Sequence, residues 1–191
     1  MSFPLVIAAA VSHPRAICNL ILDEADASGQ RITNLALQKL LYFAHGQYLV
    51  DTQTPLVDGV FEAWQFGPVH PTAYHAFKKA GANPIDFRAV LQDHFTREIT
   101  PVPSCDDPDV TAHVRRILRS YAQQSAGRLV EVSHAKNAPW HITMNRARTQ
   151  TIIGLRIYND LILTNFKFHK VSVGLEPRYG EPREEARFIK H

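Results

Sequence analysis

Histidine is the residue type with the most obvious chemical potential in this chain, which carries ten of them. His70 and His75 lie five residues apart, a spacing that brings them only imperfectly together on a helix. A helical zinc site of the metalloprotease kind needs histidines at i and i+4, with glutamate directly after the first. Here Pro71, Thr72, Ala73 and Tyr74 follow His70. His134 and His141 flank Pro139-Trp140 with no cysteine nearby. Zinc requires three or four convergent ligands, and no such set stands out, so neither a metal nor a cofactor is expected.

Candidate nucleophiles fare no better. Cys18 falls on an amphipathic helical pattern, where a buried and inert thiol is the expectation. Cys105 precedes Asp106 and Asp107, whose charge would raise a thiol pKa and blunt its reactivity. There is no G-x-S-x-G elbow, and no glycine-rich phosphate loop of either common type. Asp23, Glu24 and Asp26 read as the solvated face of a helix rather than an acid–base pair. Arg115, Arg116 and Arg119 read as the outer face of another helix, open to an acidic partner and in principle to phosphates. No catalytic residue is assigned.

The elements that would position these residues are mostly helical. With 191 residues, 45% of them hydrophobic and 20% charged, the chain can bury one sizeable core and is not disordered. A net charge of +3 is mild for a dedicated nucleic-acid binder. Ser12 and Pro14 suit the start of a first helix, in which Ile17, Leu20, Ile21 and Ala25 share a face. A second helix begins near Thr33 or Asn34. Its stripe of Leu37, Leu40, Leu41, Ala44 and Tyr48, widened by Leu35, Phe43 and Leu49, predicts a central, largely buried helix.

Residues 51–70 predict a small β-hairpin turning at Asp58-Gly59. Pro71 opens a third helix that Gly81 closes. Four prolines between residues 82 and 108 predict loop, with a strand near Phe95–Thr100. Asp107 and Pro108 open a fourth helix with the cleanest amphipathic pattern in the chain: Val110, Val114, Ile117, Leu118 and Tyr121. A short helix at 127–134, an element starting at Pro139-Trp140, and a last helix within 151–168 complete the pattern. In that last helix Tyr158, Leu161, Ile162 and Phe166 share a face. The fold class is therefore mostly α (α+β), a compact helical domain with a hairpin between its second and third helices.

One domain over residues 1–173 and a charged tail over 174–191 are expected. The apolar run Pro4–Val11 has no Lys or Arg before it and is too short to span a bilayer, so it reads as the lead-in to the first helix. Cys18 and Cys105 belong to no C-x-x-C pair, and a reducing, cytoplasmic setting is a simpler reading of them than a single long-range disulfide.

Two stretches carry more specific information: ITNLALQKLLYFAHGQYLV at 32–50, and PLVDGVFEAWQFGPVHPTAYHAFKKAG at 55–81. Together they resemble the signature of the Panacea antitoxin domain, also called the SocA-like domain. The matching residues are Gln38, Lys39, Tyr42, Phe43, Glu62, Ala63, Trp64, Gly67, Pro68, Val69 and Tyr74. Leu129–His134 followed by Pro139-Trp140 is similar to the family's short helix and its tryptophan.

The resemblance covers roughly residues 13–168 and implies a bacterial or phage-borne antitoxin that neutralises a protein toxin by direct contact. The toxin would be encoded by an adjacent gene, and a cellular protease is a further candidate partner. Neither a membrane nor nucleic acid is expected as a partner. A nucleic-acid-binding regulator and an uncharacterised hydrolase are the alternative readings.

Trp64, Phe66 and Tyr74 cluster around a stiff Gly67-Pro68 turn, and rigid aromatics make good interface anchors. They are put forward as partner-binding residues with His70, Arg115 and Arg119. Gln38, Lys39, Tyr42, Phe43, Glu62, Gly67, Pro68 and Trp140 are expected to serve the frame of the fold.

Overall fold

The computed structural model describes residues 11–93, 95–149 and 155–169. The expected N-terminal lead-in before Val11, the 174–191 tail and the domain boundary at 173 lie outside the described residues. The described chain runs through α1 (Pro14–Ala27), α2 (Asn34–Thr52), β1 (Phe61–Trp64), β2 (Gly67–Val69) and α3 (Pro71–Phe77). It continues with β3 (Val90–Gln92), β4 (Ile99–Pro101), α4 (Pro108–Tyr121), α5 (Ala126–Ser133) and α6 (Pro139–Thr149). Short β5 (Arg156–Ile157) and α7 (Asn159–Asn165) follow, and α7 tightens into a 3-10 turn at Phe166–Phe168. The mostly helical α+β class read from the sequence is what the fold shows.

Local chemistry explains most boundaries. Thr33 Oγ1 accepts the Ala36 amide and caps α2. Asp107 accepts the amides of Asp109 and Val110, and Pro108 occupies the first turn of α4, where its missing N–H leaves no bond unmade. The start of α1 differs from expectation. His13 caps it through Nδ1, which accepts the Arg15 amide at 3.2 Å. The Ser12 backbone is engaged elsewhere: its amide bonds Leu56 O at 3.0 Å, and its carbonyl accepts from Asp58 N at 3.1 Å.

That tether also relocates the hairpin turn. Because Val57 and Asp58 are tied to Ser12, Asp58-Gly59 only bends the chain into β1. The reversal occurs at Gln65-Phe66, where Trp64 pairs with Gly67. The three-stranded sheet is antiparallel in the order β2-β1-β5. The strand expected at 95–100 is β4, which pairs with β3 in a second hairpin and leaves Phe95 in the connection between them. Tyr158 precedes α7 instead of sharing its inner face and is 57% exposed, because the helix starts only at Asn159. Ile162 and Phe166 do face inward.

Helix α2 occupies the centre, with α1, α3, α4, α5, α7 and β2 packed around it. Leu37, Leu40, Leu41, Tyr42, Phe43 and Ala44 have no measurable exposure. The Tyr42 ring meets Phe61 edge-on at 5.3 Å, and Phe43 stacks on Tyr121 at 4.5 Å. Gly46 lets the 3-10 turn seat: a β-carbon there would run into the Phe166 ring, which is itself buried. Alanine is intrinsically better than glycine in a helix by about 1 kcal/mol, but overpacking outweighs that gain. Gly46→Ala is expected to destabilise the protein by about 1–3 kcal/mol in urea unfolding. A gain in stability would instead mean that the Phe166 ring moves aside at no cost.

Candidate functional site

The signature residues gather where α2 meets the β1–β2 hairpin. Gln38 is buried, and its side-chain oxygen accepts the His70 amide at 3.1 Å. Its amide nitrogen donates to Asn34 at 3.2 Å, so both ends of the side chain are used. Lys39 has no exposure, and its Nζ donates to the Pro68 carbonyl at 2.9 Å. Gly67, at φ 95°, fits tightly over this pair. A β-carbon there would strike Ser133 Oγ from α5 and approach Lys39 Cε to 2.9 Å. Glycine is thus required for both conformation and space.

Tryptophans close the other side. Trp64 Nε1 donates to Glu62 at 2.8 Å, and Trp140 Nε1 donates to the Trp64 carbonyl at 2.8 Å. Trp140 stacks on His134 with centroids 3.5 Å apart, and Tyr74 meets Trp64 edge-on at 4.9 Å. Trp64, Phe66 and Tyr74 are half-buried, so part of each ring remains accessible.

The histidines act as internal ties. His45 Nε2 donates to Asn159 at 3.0 Å while Nδ1 accepts the Val57 amide at 3.4 Å, a pattern one neutral tautomer satisfies. His113 repeats the scheme, with Nε2 on Ala44 O at 2.9 Å and Nδ1 facing Arg116 at 2.9 Å. His70, put forward for partner contact, is 2% exposed and bonds Asp58 O at 2.8 Å, so its ring faces the interior in this fold. Burial lowers the pKa of His45, His134 and His169 to about 4, and shifts His70 and His113 down as well. Burial likewise pushes the Cys18 thiol far up, leaving it unreactive. Among the described residues, no cluster of three or more His, Cys, Asp or Glu side chains could hold a metal ion.

The arginines are largely committed. Arg115 forms a two-pronged bond to Glu24 at 2.6 and 2.9 Å, linking α4 to α1. Arg116 reaches Asp51 at 2.7 Å, and Arg88 clamps Asp23 and Asp26. Arg119 is exposed.

Sequence reasoning missed the β3–β4 hairpin as a surface. Val90, Phe95 and Ile99 are 44%, 96% and 63% exposed, and all belong to this one hairpin. Asp93 holds the connection by accepting the amides of Phe95 and Thr96 at 2.8 and 2.7 Å. Arg15 and Asn19 of α1 bond the carbonyls of Val90 and Ala89 and anchor its base.

Comparison with known proteins decides what this frame belongs to. The family described as antitoxin SocA-like, Panacea domain, matches residues 37–141. The protein named antitoxin SocA from Caulobacter vibrioides (strain NA1000 / CB15N) is 46% identical over 172 residues, covering 90% of this chain and 92% of that protein. The chain belongs to the SocA-like antitoxin family, Panacea domain. No solved structure matches it. The resemblance carried by Gln38–Phe43 and Glu62–Tyr74 in the sequence is therefore a true relationship. In this Panacea domain the matching residues Gln38, Lys39, Tyr42, Phe43, Gly67 and Pro68 are all buried.

The buried histidines imply a pH dependence. Unfolded histidine titrates near 6.5, whereas His45, His134 and His169 in the fold titrate at about 4. Between those values the unfolded chain binds more protons, so stability must fall as pH drops from about 6.5 toward 4. Urea midpoints measured across that range should decline. His45→Gln should make the decline shallower, and a flat profile would contradict the buried neutral state.

Proposed function

We propose that this SocA-like protein acts as the antitoxin of a toxin–antitoxin pair by binding its toxin directly, with no catalytic group of its own. The observation that carries this reading is a contrast in how side chains are used. Groups with chemical potential are buried or paired internally: Cys18, His45, His70, His113 and Lys39 in the interior, Arg115 and Arg88 in ion pairs. Large apolar side chains meanwhile stand exposed together on one anchored hairpin, and apolar surface gathered in one place is a mark of interaction sites. Val90, Phe95 and Ile99 supply apolar contact area on a preformed scaffold, which lowers the ordering cost of association. Trp64, Phe66 and Tyr74 offer a second contact region, rich in the aromatic residues found at binding hot spots. Arg119 adds an exposed cation on α4.

The toxin is read as the product of an adjacent gene. The captured toxin is then either held inert or passed to a cellular protease, and its half-life in cells with and without this chain separates the two. Two free cysteines support a cytoplasmic setting. Among the described residues, no helix is long and apolar enough to cross a membrane. A nucleic-acid role has less support, because Arg88, Arg115 and Arg116 are neutralised by internal carboxylates.

Direct binding is tested by mixing the purified chain with the product of the adjacent gene and following size-exclusion chromatography. A stable complex is expected, and absence of any complex would overturn the reading. Phe95→Asp should weaken that complex by at least about tenfold while leaving stability within about 0.5 kcal/mol, as expected for a surface side chain. Duplex DNA binding that weakens steeply with salt would instead favour the nucleic-acid alternative.

A further inference from the structure

Lys39 is an interior lysine without a counter-ion. Among the described residues no ion pair reaches it, and burial alone lowers its pKa to about 7. An ammonium has three N–H donors to satisfy, and the Pro68 carbonyl is the acceptor the fold provides. Among the described residues, the surrounding elements offer no compensating charge. On α2, Tyr42 lies one turn on; among the described residues its fully buried hydroxyl has no hydrogen-bond partner, and burial raises its pKa. From β2 come only the backbone and apolar atoms of Gly67 and Pro68. From α5 come Ser133, whose hydroxyl donates to Val130 O at 2.7 Å, and His134, which is neutral near pH 7.

The position of Lys39 gives its charge state mechanical reach. The turn it bonds lies against Ser133 on α5. The neighbouring His134 stacks on Trp140 of α6, which bonds the Trp64 carbonyl of β1. We infer that Lys39 is a proton-operated latch: as a neutral amine it holds the Gly67-Pro68 turn closed on α5, and on protonation the β1–β2 hairpin, α5 and α6 loosen so that solvent can reach it. The direction follows from linkage. An unfolded or solvated lysine titrates near 10.4 and the buried one near 7, so the closed form loses stability as pH falls through that interval, and the loss is complete below it. This inference is independent of how the toxin is bound.

Both of the chain's tryptophans, Trp64 and Trp140, lie in this junction, so intrinsic fluorescence reads it directly. As pH is lowered from about 10 to 6, the full-length protein is expected to show a reversible red shift that develops above about 7 and is complete near it, with unchanged far-UV circular dichroism. Lys39→Met should remove the shift and His134→Asn should keep it. Absence of the shift in the native protein, its survival in Lys39→Met, or its loss in His134→Asn would each overturn the latch. Should Lys39→Met fail to fold, the Lys39 Cε resonance in the native protein decides by itself. An inflection between about 7 and 9.5 that coincides with the fluorescence change supports the latch, and one above about 9.5, the ordinary lysine range, or one without any fluorescence change overturns it.

Discussion

Helix α2 has no solvent face along most of its length, yet it carries Asn34, Gln38, Lys39 and His45 in the interior. An unmet buried polar atom costs about 1–3 kcal/mol, and although the Tyr42 hydroxyl stays unmet among the described residues, each of these four side chains finds a partner inside the protein. That requirement dictates what surrounds the helix. Gln38 fixes the chain at His70, Lys39 fixes it at Pro68, and His45 fixes both Val57 and Asn159. The backbone takes part too, since the Ala44 carbonyl accepts from His113 of α4. Apolar packing would hold α2 in any of several rotational settings, because its hydrophobic residues go all the way round. The polar bonds select one.

This explains why the helices were legible in the sequence and the connections were not. Amphipathic period and capping chemistry are local, and α4 reads correctly from Asp107 to Tyr121 because every signal lies within it. The hairpin turn was misplaced because Asp58-Gly59 is a fair local turn signal, overridden by a backbone bridge to Ser12 that no spacing rule reveals. Arg115 and Glu24 are 91 residues apart in the chain. From sequence each could be assigned only to a solvated face, and their pairing turns a candidate contact arginine into a strap between α1 and α4. An exposed pair of this kind contributes little stability, about 0–1 kcal/mol, but it removes a cation from the pool available to ligands.

The candidate site was legible in a different sense. The family resemblance could be read from the order of these residues, but type and order cannot distinguish a side chain that binds a partner from one that positions the backbone. His70 illustrates the ambiguity. A histidine following Gly-Pro-Val and preceding a helix looks available for contact, yet its ring faces inward and its amide is held by Gln38. The exposed hairpin was missed for the opposite reason. Val90, Phe95 and Ile99 lie in a proline-rich region without periodicity, and exposure is a property of the folded chain that such a stretch does not encode.

A frame built this way separates two demands that would otherwise compete. The α2 network tolerates little change, because Gly67 cannot accept a β-carbon without displacing Ser133 or Lys39, and Gly46 cannot without displacing Phe166. The β3–β4 hairpin faces the opposite constraint. Its base is tied through the backbone carbonyls of Ala89 and Val90, and its connection through the backbone amides of Phe95 and Thr96. Side chains at Phe95 and Ile99 take no part in those ties, so the hairpin can present different side chains on the same scaffold. Recognition by such a surface would depend on residues that contribute almost nothing to folding, while the residues that define the domain would contribute to recognition only by holding that surface in place.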